Sequence, residues 1–382
     1  MHIVFVGLPG VPYRGRACDT RLTYFANLFA KDNDVTIVNW FSPESLNKQG
    51  RGELNDKVSI IDVLKTRKST GLSYYFFYIL SFLKEPFVLL NLHRKQKIDV
   101  LHIYTEKVFV YIIYWMISII IGSKLVYSYV EDRSSFKSNF KINSLLQKIA
   151  ENVAAKLCDG VLPISHYLES KALGINPKLN SLRIPPICDF ETFSALPVQT
   201  SIPNKYLLYC GSIGYKEVVD IIYKAYKDSS ISSSRGLVLV LSGNKILLER
   251  ASEDYPDATI MSHLDYRYMI SCFKGAECLL IPLRNITSEV ARFPNKICEY
   301  LASNGVLVTT NVGEIPYFFT DGKNAIIADN CDSISLASVF DKIETKEYDI
   351  DYIKRQSYAT GLKYFDLHTY TASAVSYTHL RA

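Results

Sequence analysis

Short runs of β-branched and aliphatic residues recur along this chain with helical periods between them, and that rhythm limits the fold more than any other feature. HIVFVG (2–7), DVTIVNW (34–40), DVLHIY (99–104) and KLVYSYV (124–130) are almost continuously apolar. A strand that is apolar on both faces is covered on both faces, the condition of a parallel sheet with helices above and below it. Between these runs, Asp19–Lys31 sets Leu22, Phe25, Ala26 and Phe29 at helical spacing, and Ser144–Leu157 reads as a helix ahead of DGVLPIS (159–165). The rhythm lapses over Phe190–Lys205, which holds two prolines and no period, so this segment reads as a linker. A second series follows: YLLYCGS (206–212), GLVLVLSG (236–243), ATIMSH (258–263), ECLLIPL (277–283), VLVTT (306–310) and NAIIAD (324–329), again separated by helical segments. The expected fold class is therefore α/β, with two tandem Rossmann-like, doubly wound parallel-sheet domains. Ligands of such sheets bind at the carboxyl ends of the strands, here expected in an interdomain cleft.

A chain of 382 residues that is 48% apolar and 21% charged has the composition of globular domains with large cores. Its net charge of +5 comes wholly from an excess of Lys and Arg in the first half. That balance is too weak for a nucleic-acid binder and leaves a phosphate-bearing ligand or an anionic membrane surface as partners. The eight cysteines include no C-x-x-C pair and no cysteine–histidine cluster, and several lie in apolar runs, so they read as reduced, buried thiols of a cytoplasmic protein.

MHIVFVGLPG enters a strand directly, without the basic start of a secretory leader. Two apolar stretches, LSYYFFYILSFL (72–83) and VFVYIIYWMISIIIG (108–122), fall short of the roughly 18–20 residues that cross a bilayer. The second reads as a core helix between two parallel strands. The first lies between KTRKS (65–69) and HRKQK (93–97), a pattern that docks on a membrane face without spanning it. His102 reads as a core histidine, and SYTHLRA (376–382) as a non-native tail.

The segment FPNKICEYLASNG (293–305) puts Pro294 at the head of a short helix and Asn304–Gly305 at its end. On a helical wheel Ile297, Cys298, Leu301 and Ala302 form one face, and Lys296, Glu299, Tyr300 and Ser303 a polar face pointing away from the sheet. Such a helix can hold a solvated Lys296–Glu299 pair, or it can offer N–H groups to a phosphate and a carboxylate to a ribose diol.

PNKICEYLASNGVLVTTNVGEIPYFFTDGKNAII resembles the donor-site segment of retaining glycosyltransferases of the GT-B fold, family four (glycosyl transferases group 1). LLYCGSIGYKEVVDIIYKAY resembles that family's phosphate segment, and CDGVLPIS with IPPICDFETFS its connection between domains. The resemblance implies an enzyme of the hexosyltransferase type that moves a sugar from a nucleotide-diphosphate sugar, UDP- or GDP-linked, to a hydroxyl of a glycan or lipid-linked acceptor. It implies retention of configuration, no metal and no cofactor, a place in surface polysaccharide biosynthesis, and a cytoplasmic protein at the inner face of the plasma membrane.

Donor-binding residues carried over by that resemblance are Gly211, Ser212, Lys216, Glu289, Arg292, Phe293, Pro294, Asn295, Lys296 and Glu299, with Glu299 on the ribose and Lys216 on the diphosphate. Gly10, Arg14, Gly15 and Arg16 fall in the family's acceptor-side loop. Glu131 and Asp132, at the carboxyl end of a strand, are candidates to orient or deprotonate an acceptor hydroxyl; an ordinary loop carboxylate paired with Arg133 is the alternative. Three positions depart from the family. The first of its paired glutamates is Ala291, with Glu289 two residues earlier, the arginine after the phosphate-loop glycine is Ser212, and the histidine after the fifth strand is missing. They motivate a competing expectation, a catalytically inactive GT-B subunit or binding partner of another glycosyltransferase. The expected domains are 1–195 on the acceptor side and 196–360 on the donor side, with 361–375 packing back on the first domain.

Overall fold

Thirteen strands, all parallel to their neighbours, form two sheets in the computed structural model, which describes residues 1–8, 17–41, 54–64, 72–104, 108–135, 141–198, 202 and 205–371. The first sheet is built from β1 (His2–Leu8), α1 (Ala17–Phe29), β2 (Asp34–Phe41), β3 (Val58–Leu64), α2 (Leu72–Lys95), β4 (Val100–Ile103), α3 (Val108–Ile121), β5 (Lys124–Tyr129), α4 (Lys141–Leu157), β6 (Gly160–Pro163), α5 (His166–Ile175) and β7 (Asn180–Ser181). Its strand order is β3-β2-β1-β4-β5-β6-β7. Right-handed crossovers place α1 on one face and α2, α3 and α4 together on the other, because the chain moves one way from β1 and the opposite way from β3 onward. His102 is buried in this core as expected. It stacks on Phe5, its Nε2 lies 2.8 Å from Ser128 Oγ, and burial pushes its pKa down to about 3.

Two apolar stretches behave differently from expectation. α3 is no fully buried core helix: Val110, Tyr111 and Tyr114 face the sheet, while Phe109, Ile112, Trp115, Met116, Ile119 and Ile120 are exposed. α2 runs twelve residues beyond the stretch read as apolar, because Lys84, Glu85 and Pro86 interrupt the hydrophobic run without ending the helix. Its part Tyr75–Lys95 is long and apolar enough, by length and composition, to cross a bilayer. Ser81, Glu85 and Leu89, four apart, are nevertheless buried along its inner side, and Glu85 accepts hydrogen bonds from Trp40 Nε1 (2.8 Å) and Tyr114 Oη (2.7 Å). These contacts tie α2 to the sheet as an ordinary crossover helix.

The second sheet follows α6 (Phe190–Ala195) and comprises β8 (Tyr206–Ser212), α7 (Lys216–Asp228), β9 (Gly236–Ser242), α8 (Lys245–Asp254), β10 (Ala258–Met261), α9 (Tyr266–Gly275), β11 (Cys278–Ile281), α10 (Thr287–Val290), α11 (Lys296–Ala302), β12 (Val306–Thr310), α12 (Ile315–Phe318) and β13 (Ile326–Ala328), then α13 (Ser333–Glu344) and α14 (Ile350–Tyr364). Its order is β10-β9-β8-β11-β12-β13, so the winding reverses between β8 and β11.

Contacts divide the chain into Met1–Pro185 with the segment from Tyr370 onward, and Pro186–Thr369. The expected linker therefore begins with a helix of the second unit. Phe190 and Phe193 of α6 are buried, and Asp189 caps it by accepting from Thr192 N–H (3.1 Å). The final segment also divides later than expected: Gly361–Thr369 belong to the second unit, and Lys31 Nζ bonds Thr371 Oγ1 (3.1 Å) in the first. The tail at 376–382 lies outside the described residues. At Gly361 a Cβ would stand 2.6 Å from Phe190 Cζ and 3.0 Å from Leu301 Cβ, so α14 approaches α6 and α11 as only glycine permits. Gly361→Ala is expected to cost about 1–3 kcal/mol by overpacking, read from urea unfolding of the two proteins.

Candidate active site at the switch point of the second sheet

The carboxyl ends of β8 and β11 flank the reversal of winding, where an open parallel sheet leaves a crevice. β8 ends at Gly211–Ser212. Ser212 Oγ accepts from Gly214 N–H (3.1 Å) to cap a single 3-10 turn, Ile213–Tyr215, and α7 starts at Lys216. From the other side, the segment between β11 and α11 carries Arg284, Glu289 and Arg292. Arg292 Nη1 bonds Tyr215 Oη (2.5 Å) and the guanidinium lies 4.6 Å above the Tyr215 ring, so the two loops meet. Glu289 is 2% exposed. Its Oε2 accepts from the Arg284 N–H (2.6 Å), and its Oε1 accepts from Arg284 Nε (2.9 Å) and Nη2 (2.5 Å), with Arg292 Nη2 3.7 Å away. Arg284 Nη1 also reaches Glu217 Oε2 on α7 (2.5 Å). Burial works against the Arg284 cation, yet its bonds to Glu289 and Glu217 prevail and raise its pKa. The Arg292 Nε is buried and has no hydrogen-bond partner among the described residues.

Several expectations change on this geometry. Glu289 spends both oxygens on Arg284, one on its backbone N–H and one on its guanidinium, so its main work is to position that arginine. Lys216 Nζ is held by Asp254 Oδ2 (3.1 Å), Asp220 Oδ1 (3.2 Å) and Tyr255 Oη (3.1 Å), which outweigh burial and raise its pKa. Its ammonium is thus committed to α7 and α8, and Arg292 is the cation seated on the phosphate-loop turn. Phe293 is 2% exposed and packs on Phe318 and Phe365, leaving its backbone alone for a ligand. Pro294 and Asn295 precede the helix, which begins at Lys296; the Pro294 carbonyl accepts from Ile297 N–H (3.1 Å).

The polar face of α11 does not point to solvent. Glu299, Tyr300 and Ser303 are each at most 2% exposed. Tyr300 Oη accepts from Cys210 N–H (3.1 Å), which seats α11 over the end of β8. Glu299 Oε2 takes Lys296 Nζ (2.5 Å) and Oε1 takes Tyr266 Oη (3.2 Å), so the Lys296–Glu299 pair is a buried one. As expected, Asn304 and Gly305 end the helix, with Asn304 at φ 56°. Gly313, at φ 61°, lets the β12–α12 turn approach Val290 so closely that a Cβ would lie 2.9 Å from its carbonyl.

Sequence reasoning missed Arg284, Tyr215 and Glu217. A cation just past the end of a buried parallel strand was the available signal for Arg284. Nothing marked Tyr215 among 27 tyrosines.

In the first unit Asp132 is 2% exposed and fully engaged, accepting from Ser134 Oγ (2.6 Å), Tyr167 Oη (3.0 Å) and Lys171 Nζ (2.9 Å). Burial alone would raise its pKa, but these partners lower it, so the group is a poor base. Glu131 lies 3.4 Å from Arg133, the ordinary loop pairing. Gly10, Arg14, Gly15 and Arg16 lie outside the described residues.

Residues 204–344 match the family model described as glycosyl transferases group 1. Among solved structures, sucrose-phosphate synthase from Thermosynechococcus elongatus aligns over 99% of this chain and 98% of its own, at 13% identity and a TM-score of 0.74. HepE from Anabaena, solved in complex with UDP-glucose, aligns over 99% of both chains at 14% identity and a TM-score of 0.69. A lipopolysaccharide outer core galactosyltransferase, WaaB, aligns over 100% of both at 13% identity and a TM-score of 0.62. A search of curated protein sequences finds no match. Residues 204–344 thus match the glycosyl transferases group 1 model, and the chain as a whole has the GT-B fold.

Proposed function

We propose that this chain is a retaining glycosyltransferase that transfers a hexosyl group from a nucleotide-diphosphate sugar to a hydroxyl of a glycan or lipid-linked acceptor, without a metal ion. The observation that carries the reading is the meeting of Tyr215 and Arg292 across the switch point, inside the segment that matches the family. A departing nucleoside diphosphate develops negative charge, and cations fixed beforehand by Glu289 and Tyr215 stabilise it without reorganising. Arg292, with Arg284 beside it, fills the role that Ser212 vacates and that Lys216, tied to Asp220 and Asp254, supplies less directly. Glu299, the carboxylate on the helix that follows Arg292, takes the ribose diol, because a carboxylate can accept two hydrogen bonds from a diol. The HepE structures hold UDP and UDP-glucose, which favours uridine donors over guanosine donors. A role in surface polysaccharide assembly, in the cytoplasm at the inner face of the plasma membrane, completes the proposal.

The test is a screen of UDP- and GDP-sugars for binding and turnover, with and without a chelator. Activity confined to a metal-loaded form contradicts the metal-free part. Arg292→Ala is expected to lower kcat/KM about a hundredfold, and Ser212→Arg in that background to restore part of it. An unchanged kcat/KM removes Arg292 from the site.

A second reading, a GT-B subunit that binds nucleotide without turnover, is favoured by Ala291, fully buried where the family has glutamate, and by the sealing of Glu289. Binding with no turnover on any acceptor supports it; donor hydrolysis that disappears in Glu299→Ala rules it out.

A further inference from the structure

The face of the first sheet that carries α2, α3 and α4 ends in an apolar surface that nothing in the chain covers among the described residues. In α2 the exposed residues Tyr75, Ile79, Leu83 and Phe87 follow one another four apart, a single stripe along the outside of the helix, with Phe87 73% exposed. α3 lies beside it, joined through the Phe82–Phe109 ring contact, and presents Ile112, Trp115, Ile119 and Ile120. Leu145, Leu146 and Ile149 extend the surface onto α4, which packs on α3. Single exposed apolar residues are ordinary, but three neighbouring helices exposing them together mark a docking surface.

The charges say what docks there. α3 carries no Asp, Glu, His, Lys or Arg. On α2 and α4 the exposed charged residues are Lys84, Arg94, Lys95, Lys148 and Lys156, whereas both carboxylates, Glu85 and Glu151, are turned inward, Glu85 to Trp40 and Tyr114 and Glu151 to Lys171. An apolar field with aromatic residues and a rim of one positive sign complements a bilayer with anionic headgroups. A second copy of the chain would set one basic rim against another. We infer that the outer face of α2, α3 and α4 docks on an anionic lipid surface, lying in the interface without crossing it. The inference rests on the membrane-proximal placement proposed above and assigns it a surface.

The test uses the full chain with phosphatidylcholine vesicles, with and without phosphatidylglycerol. The expected result is sedimentation with the anionic vesicles and a blue shift of Trp115 fluorescence, because that side chain enters the interface. Ile119→Glu with Ile120→Glu, both at exposed positions, is expected to weaken partitioning at least tenfold. Lys84→Glu with Lys148→Glu is expected to weaken it about tenfold on anionic vesicles only. Wild-type protein that stays in solution with anionic vesicles overturns the inference. So does a stable dimer that Ile119→Glu with Ile120→Glu dissociates, since a second copy then covers the face. Donor turnover in vesicle-free solution is measured alongside: its absence with vesicle binding intact counts against the transferase reading and leaves the surface standing.

Discussion

Glu299→Ala is expected to reduce kcat/KM for any nucleotide-sugar by about a hundredfold or more, because two hydrogen bonds to a charged acceptor are lost, each worth about 1.5–3 kcal/mol. The same substitution strips Lys296 of its partner. The Lys296 side chain is 18% exposed, and what stays near its ammonium is the Phe273 ring at 5.2 Å and Met269 Sδ at 3.7 Å. A stability loss of about 1–3 kcal/mol therefore accompanies the loss of activity. Glu299→Gln separates the two effects. It keeps an oxygen for Tyr266 and the same volume, so the protein stays folded while the charged acceptor disappears. Binding measured by titration calorimetry on folded Glu299→Gln is expected to fall at least tenfold; unchanged affinity removes Glu299 from the nucleotide site.

Glu85→Gln is expected to change the pH dependence of the first unit. Burial raises the Glu85 pKa from 4.5 to about 7 despite its bonds to Tyr114 and Trp40. A carboxyl that holds its proton more tightly when folded stabilises the fold fully below the unfolded pKa. That contribution is lost as pH rises through the folded value. Between about pH 4.5 and pH 7 wild type therefore loses about 3 kcal/mol that the neutral amide does not lose. Both tryptophans, Trp40 and Trp115, lie in this unit, so their fluorescence in urea reports its stability apart from the second unit. The stability of Glu85→Gln minus that of wild type is expected to grow from pH 5 to pH 8. A difference independent of pH contradicts a buried carboxyl that ionises at Glu85.

How much of this was legible follows from how each residue signals its surroundings. Strands buried on both faces announce themselves as continuous apolar runs, so β1, β4, β8 and β12 read directly, and with them the doubly wound architecture. α2 hid its length because Glu85, buried yet charged in composition, stands with Lys84 and Pro86 in the middle of it. α6 hid because six residues carry too little period to outweigh the prolines that follow. Around the site, motif order located the loops, but motif order carries no side-chain direction. It could not tell that Glu289 would be sealed by Arg284, that Lys216 would turn to Asp220 and Asp254, or that Tyr300 would reach back to β8. The Lys216–Asp254 and Tyr300–Cys210 pairings join residues 38 and 90 apart and form only when the sheet assembles, while Arg284–Glu289 depends on a loop path that no period signals.

On the proposed function, a nucleoside diphosphate binds where segments 212–217 and 284–299 meet. Amide hydrogen exchange of the full chain with and without UDP tests it most directly. The expected result is slowed exchange in both Ser212–Glu217 and Arg284–Glu299, weakened together by Arg292→Ala. Binding of UDP that leaves both segments unprotected, or no binding at all, contradicts it.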